Sequence, residues 1–370
     1  MSSTTAIDTS AAIDWYRRNR ARSEAIFDLI DPSAYYSRPI SLRNPIVFYE
    51  GHLPAFSVIA FLRRGLGLPP VDARLEQLFE RGIDPDTEAS AVPRSGAATV
   101  WPSRDEVRAF ARACDDAVVG AMASLPSGPV ALEGLYTALE HEAMHQETLL
   151  YMWHRLPYEQ KRAPLSLPIT DSRYPISDAP SSDVMAATSA TVRVPAGDAV
   201  LGADRGDAAF GWDNEFDRHV VHVPAFDIDV LPVTNKRFLE FMNDGGYRRR
   251  ELWSDEGWEW LQADRVSHPA FWLPASTSDI GHRTSDIGSW QWRGMFEAFP
   301  LPPDWPVYTS QAEAGAYARW KDRRLITEPE WHRAAEGSTS GHFDFAGFDP
   351  IPVGSHPPSR AGVYDLVGNG

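Results

Sequence analysis

The sequence predicts two domains: a helical bundle first, then an irregular α+β domain. Three observations predict this. The chain has 370 residues, 43% of them apolar, which is more than one core usually organises. The first 157 residues repeat apolar positions at helical spacing. From Thr191 onward, short strand-like pieces alternate with glycine and proline, and all of the thirteen tryptophans except Trp15, Trp101 and Trp153 lie between Trp212 and Trp331.

In the first domain, Ala11 to Ile30 reads as one amphipathic helix and Asn44 to Arg64 as a second, carrying His52. A third starts after Ser103, an N-cap residue with Glu106 at capping-box spacing, and runs to about Leu125. Gly128-Pro129 breaks the chain, and a fourth helix follows to about Leu156. Four helices with one long connection, Gly65 to Trp101, describe a four-helix bundle. The domain boundaries expected are 1–160 for the bundle, 161–190 for a Pro-, Ser- and Asp-rich linker, and 191–370 for the second domain. There, Thr191 to Pro195 and Val220 to Ile228 read as strands, and Asn235–Asn243, Ser310–Lys321 and Glu328–Glu336 as helices. Aromatic stacking and side-chain hydrogen bonds would hold the loops. Asp213-Asn214-Glu215 and Trp292-Arg293 are read in that structural role.

The formal net charge of −16 argues against nucleic acid, since phosphate binding needs clustered Lys and Arg. Met1 to Asp14 is polar, without the apolar core of a signal peptide. No apolar run approaches the roughly 20 residues of a spanning helix, so no membrane partner is expected. The single cysteine, Cys114, forms no internal disulfide and reads as a buried small hydrophobe. A soluble cytoplasmic protein is the expectation.

The chemistry concentrates on the fourth helix, in Glu140-His141-Glu142-Ala143-Met144-His145-Gln146-Glu147. Residues four apart share a helix face, so His141 and His145 can present imidazoles to one ion. Histidines so spaced also occur as ordinary core or surface residues. A third imidazole is available in His52, because bundle metal sites are built from facing helices. Glu140, Glu142 and Glu147 are candidates to orient the ligand N–H groups, and some of them must simply face water. Three protein ligands leave coordination positions open, the mark of a catalytic rather than a structural site. Imidazole suits zinc, copper, iron or nickel, and spacing does not choose among them. Arg94, in the connection between the second and third helices, is a candidate partner for a substrate carboxylate. Tyr49 is read as packing in the bundle.

At this point the sequence resembles known families. The helical half looks like the DinB-type bundle, in which a histidine of the second helix joins a His-x-x-x-His of the fourth. The second half resembles the C-type-lectin-like formylglycine-generating-enzyme (sulfatase-modifying-factor) fold. Its matching text is Val194 to Gly197, Asp213-Asn214-Glu215, Phe226 to Asn235, Pro306-Val307-Tyr308, Ala316 to Trp320, Arg324 to Trp331 and Gly362 to Asn369. Fused in this order, the modules resemble the non-heme iron sulfoxide synthases of ergothioneine and ovothiol biosynthesis and the related selenoneine synthases.

The resemblance implies an Fe(II)- and O2-dependent oxidoreductase whose iron ligands are His52, His141 and His145. The implied reaction joins a thiol or selenol donor to the imidazole of hercynine, giving a sulfoxide or selenoxide. Two other readings stay open. One is an ovothiol-type enzyme that takes free histidine; the other is a DinB-type zinc thiol transferase or hydrolase, or a non-catalytic binding protein. In some ergothioneine-type members a substrate-holding glutamine precedes the last histidine ligand, and Met144 stands at that position. The resemblance also implies further substrate-binding and catalytic groups after Gly370. The expectation is therefore a C-terminally truncated chain with weak or absent activity.

Overall fold

A computed structural model describes residues 8–80, 100–124, 128–164, 190–275 and 286–369. The chain divides into two units, Met1–Leu165 and Ser166–Gly370.

The first unit is built on α1 (Thr9–Asp28), α2 (Ile46–Ser57), α3 (Ala73–Phe79), α4 (Arg104–Met122) and α5 (Pro129–Arg155). Asp8 caps α1 by accepting from the Ser10 amide, and Ala12, Tyr16, Asn19, Ser23 and Ile26 turn one buried stripe inward. The α2 helix continues as a π-helical segment, Val58–Gly65, so the helical run matches the expected Asn44–Arg64. This run, Ile46–Gly65, is apolar and long enough to cross a membrane, which amends the sequence expectation. It is nevertheless 89% buried inside the fold, as a core helix would be.

The long connection is not featureless: it contains α3. Asp72 caps it by accepting from the amides of Arg74 and Leu75. Ser103 caps α4 as expected, accepting from the Glu106 amide. The reciprocal half of that box does not form, because the Glu106 carboxylate pairs with Arg74 on α3 instead. Cys114 is buried, and desolvation raises its thiol pKa, so it is chemically quiet. At the foot of the bundle Lys161 bridges Ile30, and Arg162 pairs with Asp31 at 2.8 Å.

The second unit holds three small antiparallel sheets. β1 (Thr191–Val194) pairs with β4 (Phe226–Asp229), β2 (Gly197–Leu201) with β3 (His219–Val223), and β5 (Trp272–Pro274), β6 (Trp290–Arg293) and β7 (Ala298–Pro300) form the third. The expected strand Val220–Ile228 is thus two strands, broken at Pro224, which has no amide hydrogen to donate. Around the sheets lie α6 (Asn235–Asn243), α7 (Asp255–Ala263), α8 (Gln311–Trp320) and α9 (Glu328–Ala334). Capping boxes start α8 at Ser310/Glu313 and α9 at Thr327/Glu330. The core is aromatic: Trp272 and Trp292 are fully buried beside Phe238, Phe241 and Tyr317. The Trp292 indole N–H donates to Asp349 at 2.8 Å, and the Glu215 carboxylate accepts from the Trp212 amide at 2.8 Å. Both stretches therefore hold loops, as read from the sequence.

Candidate metal centre

Helix α5 and the run that continues α2 approach closely because glycine permits it. A Cβ on Gly134 would lie 2.5 Å from the carbonyl oxygen of Ala60, a contact no side chain tolerates. The approach brings His52 on α2 beside His141 and His145 on α5. His52 Nε2 lies 3.3 Å from His141 Nε2, and His145 Nε2 lies 3.1 Å from His141 Nε2. The candidate ligand atoms of the three residues all fall within 4.8 Å of one another.

The protonation pattern follows from the surroundings. His52 Nδ1 sits 2.7 Å from the Phe79 carbonyl oxygen. A carbonyl only accepts, so Nδ1 carries the proton and Nε2 presents its lone pair to the cluster. Phe79 ends α3, where helical carbonyls lack intrahelical donors; His52 supplies one. Burial first, then the neighbouring His145 and His52, hold the His141 pKa far below the ordinary histidine value. Neutral imidazole is the form in which histidine ligates metal, and His141 is held in it.

Aromatic rings wall the site. Phe56 stacks on His141 with ring centroids 3.5 Å apart, and Phe48 stacks on His52 at 5.0 Å. Tyr49 packs against His145 at 5.9 Å, buried as expected. The donor set fits a metal ion. Imidazole–metal bonds of about 2.1 Å at angles of about 90° to 109° place their nitrogens roughly 3.0–3.4 Å apart, and the two short separations fall in that range. His141 Nδ1 is buried without a hydrogen-bond partner among the described residues.

Two of the three glutamates are turned from the role of orienting the histidines. Glu142 is buried but faces α1, bonded to Arg20 and Ser23, and Glu147 is exposed. One residue along a helix turns the side chain by about 100°, away from the histidine face. Met144 is 49% exposed. Arg94 lies outside the described residues. Sequence reasoning missed the Phe79 carbonyl and the part-buried ion pairs of Glu50, on α2 two residues before His52, with Arg104 and Arg108.

The sulfatase-modifying factor enzyme 1-like domain family matches residues 177–370, and the DinB superfamily matches residues 16–149. The chain is 32% identical to the hercynine oxygenase of Mycolicibacterium thermoresistibile, across 95% of this chain and 76% of that protein. The chain belongs to the hercynine oxygenase family. It is 30% identical to the Mycobacterium tuberculosis hercynine oxygenase, across 95% of this chain and 80% of the relative. It is 26% identical to ergothioneine biosynthesis protein 1 of Neurospora crassa, across 79% of this chain but 34% of that longer protein. As a member of this family, the chain is an oxidoreductase combining a DinB-like bundle with an α+β domain of the sulfatase-modifying type.

Proposed function

We propose that His52, His141 and His145 hold Fe(II), and that the chain catalyses O2-dependent bonding of a thiol or selenol donor to the imidazole of hercynine. The observation that carries this reading is the convergence of three imidazole side chains in a chain whose relatives are hercynine oxygenases. In the overall reaction an imidazole C–H and an S–H or Se–H are lost. One oxygen atom ends on the chalcogen as the sulfoxide or selenoxide, and the other leaves as water. When bound, the iron supplies the redox chemistry that couples dioxygen reduction to bond formation.

The chain's own residues prepare the site. His52 is fixed in one tautomer by Phe79. His141, kept neutral by burial, needs no deprotonation before ligating. Phe48 and Phe56 keep water from the ligand side of the cluster, and three protein ligands leave positions open for substrates. Arg94 and Met144 are proposed as substrate-side residues, Met144 because its exposed thioether adjoins His145 along α5. A cytoplasmic setting is proposed with the single free thiol, Cys114, in view.

The test is anaerobic reconstitution with Fe(II), then addition of dioxygen and hercynine with cysteine, γ-glutamylcysteine or a selenosugar in turn. Oxygen uptake with a product mass equal to hercynine plus donor plus one oxygen, less two hydrogens, is the expected result. Turnover of free histidine with cysteine, but not of hercynine with any donor, would replace this reading with the ovothiol-type one. Tight zinc with no oxygen uptake would replace it with a hydrolytic or transferase reading.

A further inference from the structure

One buried polar seam in the bundle joins α5 to α1. Each of the two candidate ligands on α5 is followed by a buried polar residue: Glu142 after His141 and Gln146 after His145, 1% and 0% exposed. The two are four apart, so they form their own stripe, turned by about 100° from the histidines. That stripe is hydrogen-bonded across to α1. The Gln146 amide donates to the Asn19 carbonyl at 2.8 Å and to Ser23 Oγ at 3.0 Å. Ser23 Oγ donates onward to Glu142 Oε1 at 2.6 Å, and Arg20 Nη1 donates to the same oxygen at 2.9 Å.

We infer that Glu142 and Gln146 are positioning residues that fix the rotation of α5 about its axis, so that His141 and His145 meet His52. This rests on the reading of the three histidines as a metal centre. The physical argument is one of tolerance. A helix with its side chains is about 10–12 Å across, so a rotation of about 20° carries a nitrogen roughly 5–6 Å from the axis by roughly 2 Å. A ligand set must be held to about 0.5 Å. Apolar contacts are non-directional and let a helix roll with little loss, whereas a chain of directed bonds between α5 and α1 has one register. The bonds originate one residue beyond each ligand, so any roll that displaces the histidines also breaks them.

The test replaces the clamp with apolar residues of similar volume, as Glu142→Leu with Gln146→Met. Arg20 keeps Asp115 at 2.8 Å, so no buried charge is left alone. Leu149→Ala serves as control, since Leu149 is a fully buried residue of α5 that makes no bond in the clamp. Co(II) is the probe, read by titration and by its d–d absorption, at a temperature where circular dichroism shows each protein folded. The clamp variant should bind Co(II) roughly 10–100-fold more weakly, the range usual for lost outer-shell support, with an altered d–d spectrum. The control should lose melting temperature but keep the parent's dissociation constant within about threefold. A folded clamp variant with the parent's affinity and spectrum overturns the inference and leaves the metal centre standing. A parent that binds no Co(II) fails at the metal centre itself, and the inference falls with it. If the double variant does not fold, Gln146→Met alone decides by the same readout.

Discussion

His52 can offer only Nε2 to an ion, because Nδ1 is committed to the Phe79 carbonyl at 2.7 Å. Replacing His52, His141 or His145 by alanine should therefore weaken metal binding by more than roughly 100-fold, beyond the range typical of outer-shell changes. Competition against a chromophoric chelator measures it, and a single alanine variant that retained the parent's affinity would remove that residue from the ligand set. Gly51 gives a subtler case. A Cβ there would sit 2.4 Å from Cε2 of Phe79, whose ring is held between Trp101 and Phe110 at centroid distances of 6.3 and 6.2 Å. Gly51→Ala should cost about 1–3 kcal/mol by overpacking and weaken metal binding without abolishing it, since the carbonyl that orients His52 shifts with the ring. Denaturant titration and the same chelator assay check both halves. The histidines were legible in the sequence because a four-residue spacing maps directly onto one helix face. The Phe79 carbonyl was not, since a backbone acceptor leaves no mark on residue type.

Helices read well where caps and apolar periodicity agree. Asn235–Asn243 occurs with the expected bounds, and Ser310 and Thr327 begin their helices with full capping boxes. The α3 helix went unread inside a long connection, although Asp72 followed by Leu75, Leu78 and Phe79 is an N-cap before an apolar stripe. The three-residue strands β5 and β7 are too short to show a period of two, and their register is set by Trp292 pairing with Trp272 and Phe299. The α9 cap carries a pH prediction. The hydrogen bond from Arg324 holds the Glu330 carboxyl at about 2, with help from the Thr327 amide and hydroxyl. A carboxyl lowered in the folded state contributes stability above its unfolded value of 4.5, and that contribution is lost as pH falls from there toward 2. Glu330→Gln should therefore destabilise the second unit at neutral pH by about 1 kcal/mol, the scale of a helix cap. The gap between variant and parent should close on acidification through that window. Tryptophan fluorescence during denaturant unfolding at several pH values reads it, and a gap that stayed constant down to pH 2 would mean the charge on Glu330 contributes nothing.

At the scale of the whole chain, the three candidate ligands all lie in one unit while the tryptophans crowd the other, and this separates two signals. An ion that binds the folded bundle and not the unfolded chain stabilises that unit by RT ln(1 + [L]/Kd), about 2.7 kcal/mol at a hundredfold excess over Kd. For a domain of this size, each kcal/mol moves the melting temperature by about 2–4 °C, so the bundle's transition should rise by roughly 5–10 °C. The far-UV helical signal, dominated by α1, α2, α4 and α5, should report that rise when Zn(II) or Co(II) is added. His141→Ala should melt without it, because removing one of three ligands leaves a site too weak to fill at the same concentration. Calorimetry and circular dichroism on both proteins, with and without metal, decide the matter. An equal upward shift in parent and variant would place the stabilising ion somewhere other than the three histidines. A shift confined to the parent would tie the ion to the three histidines that α2 and α5 bring together.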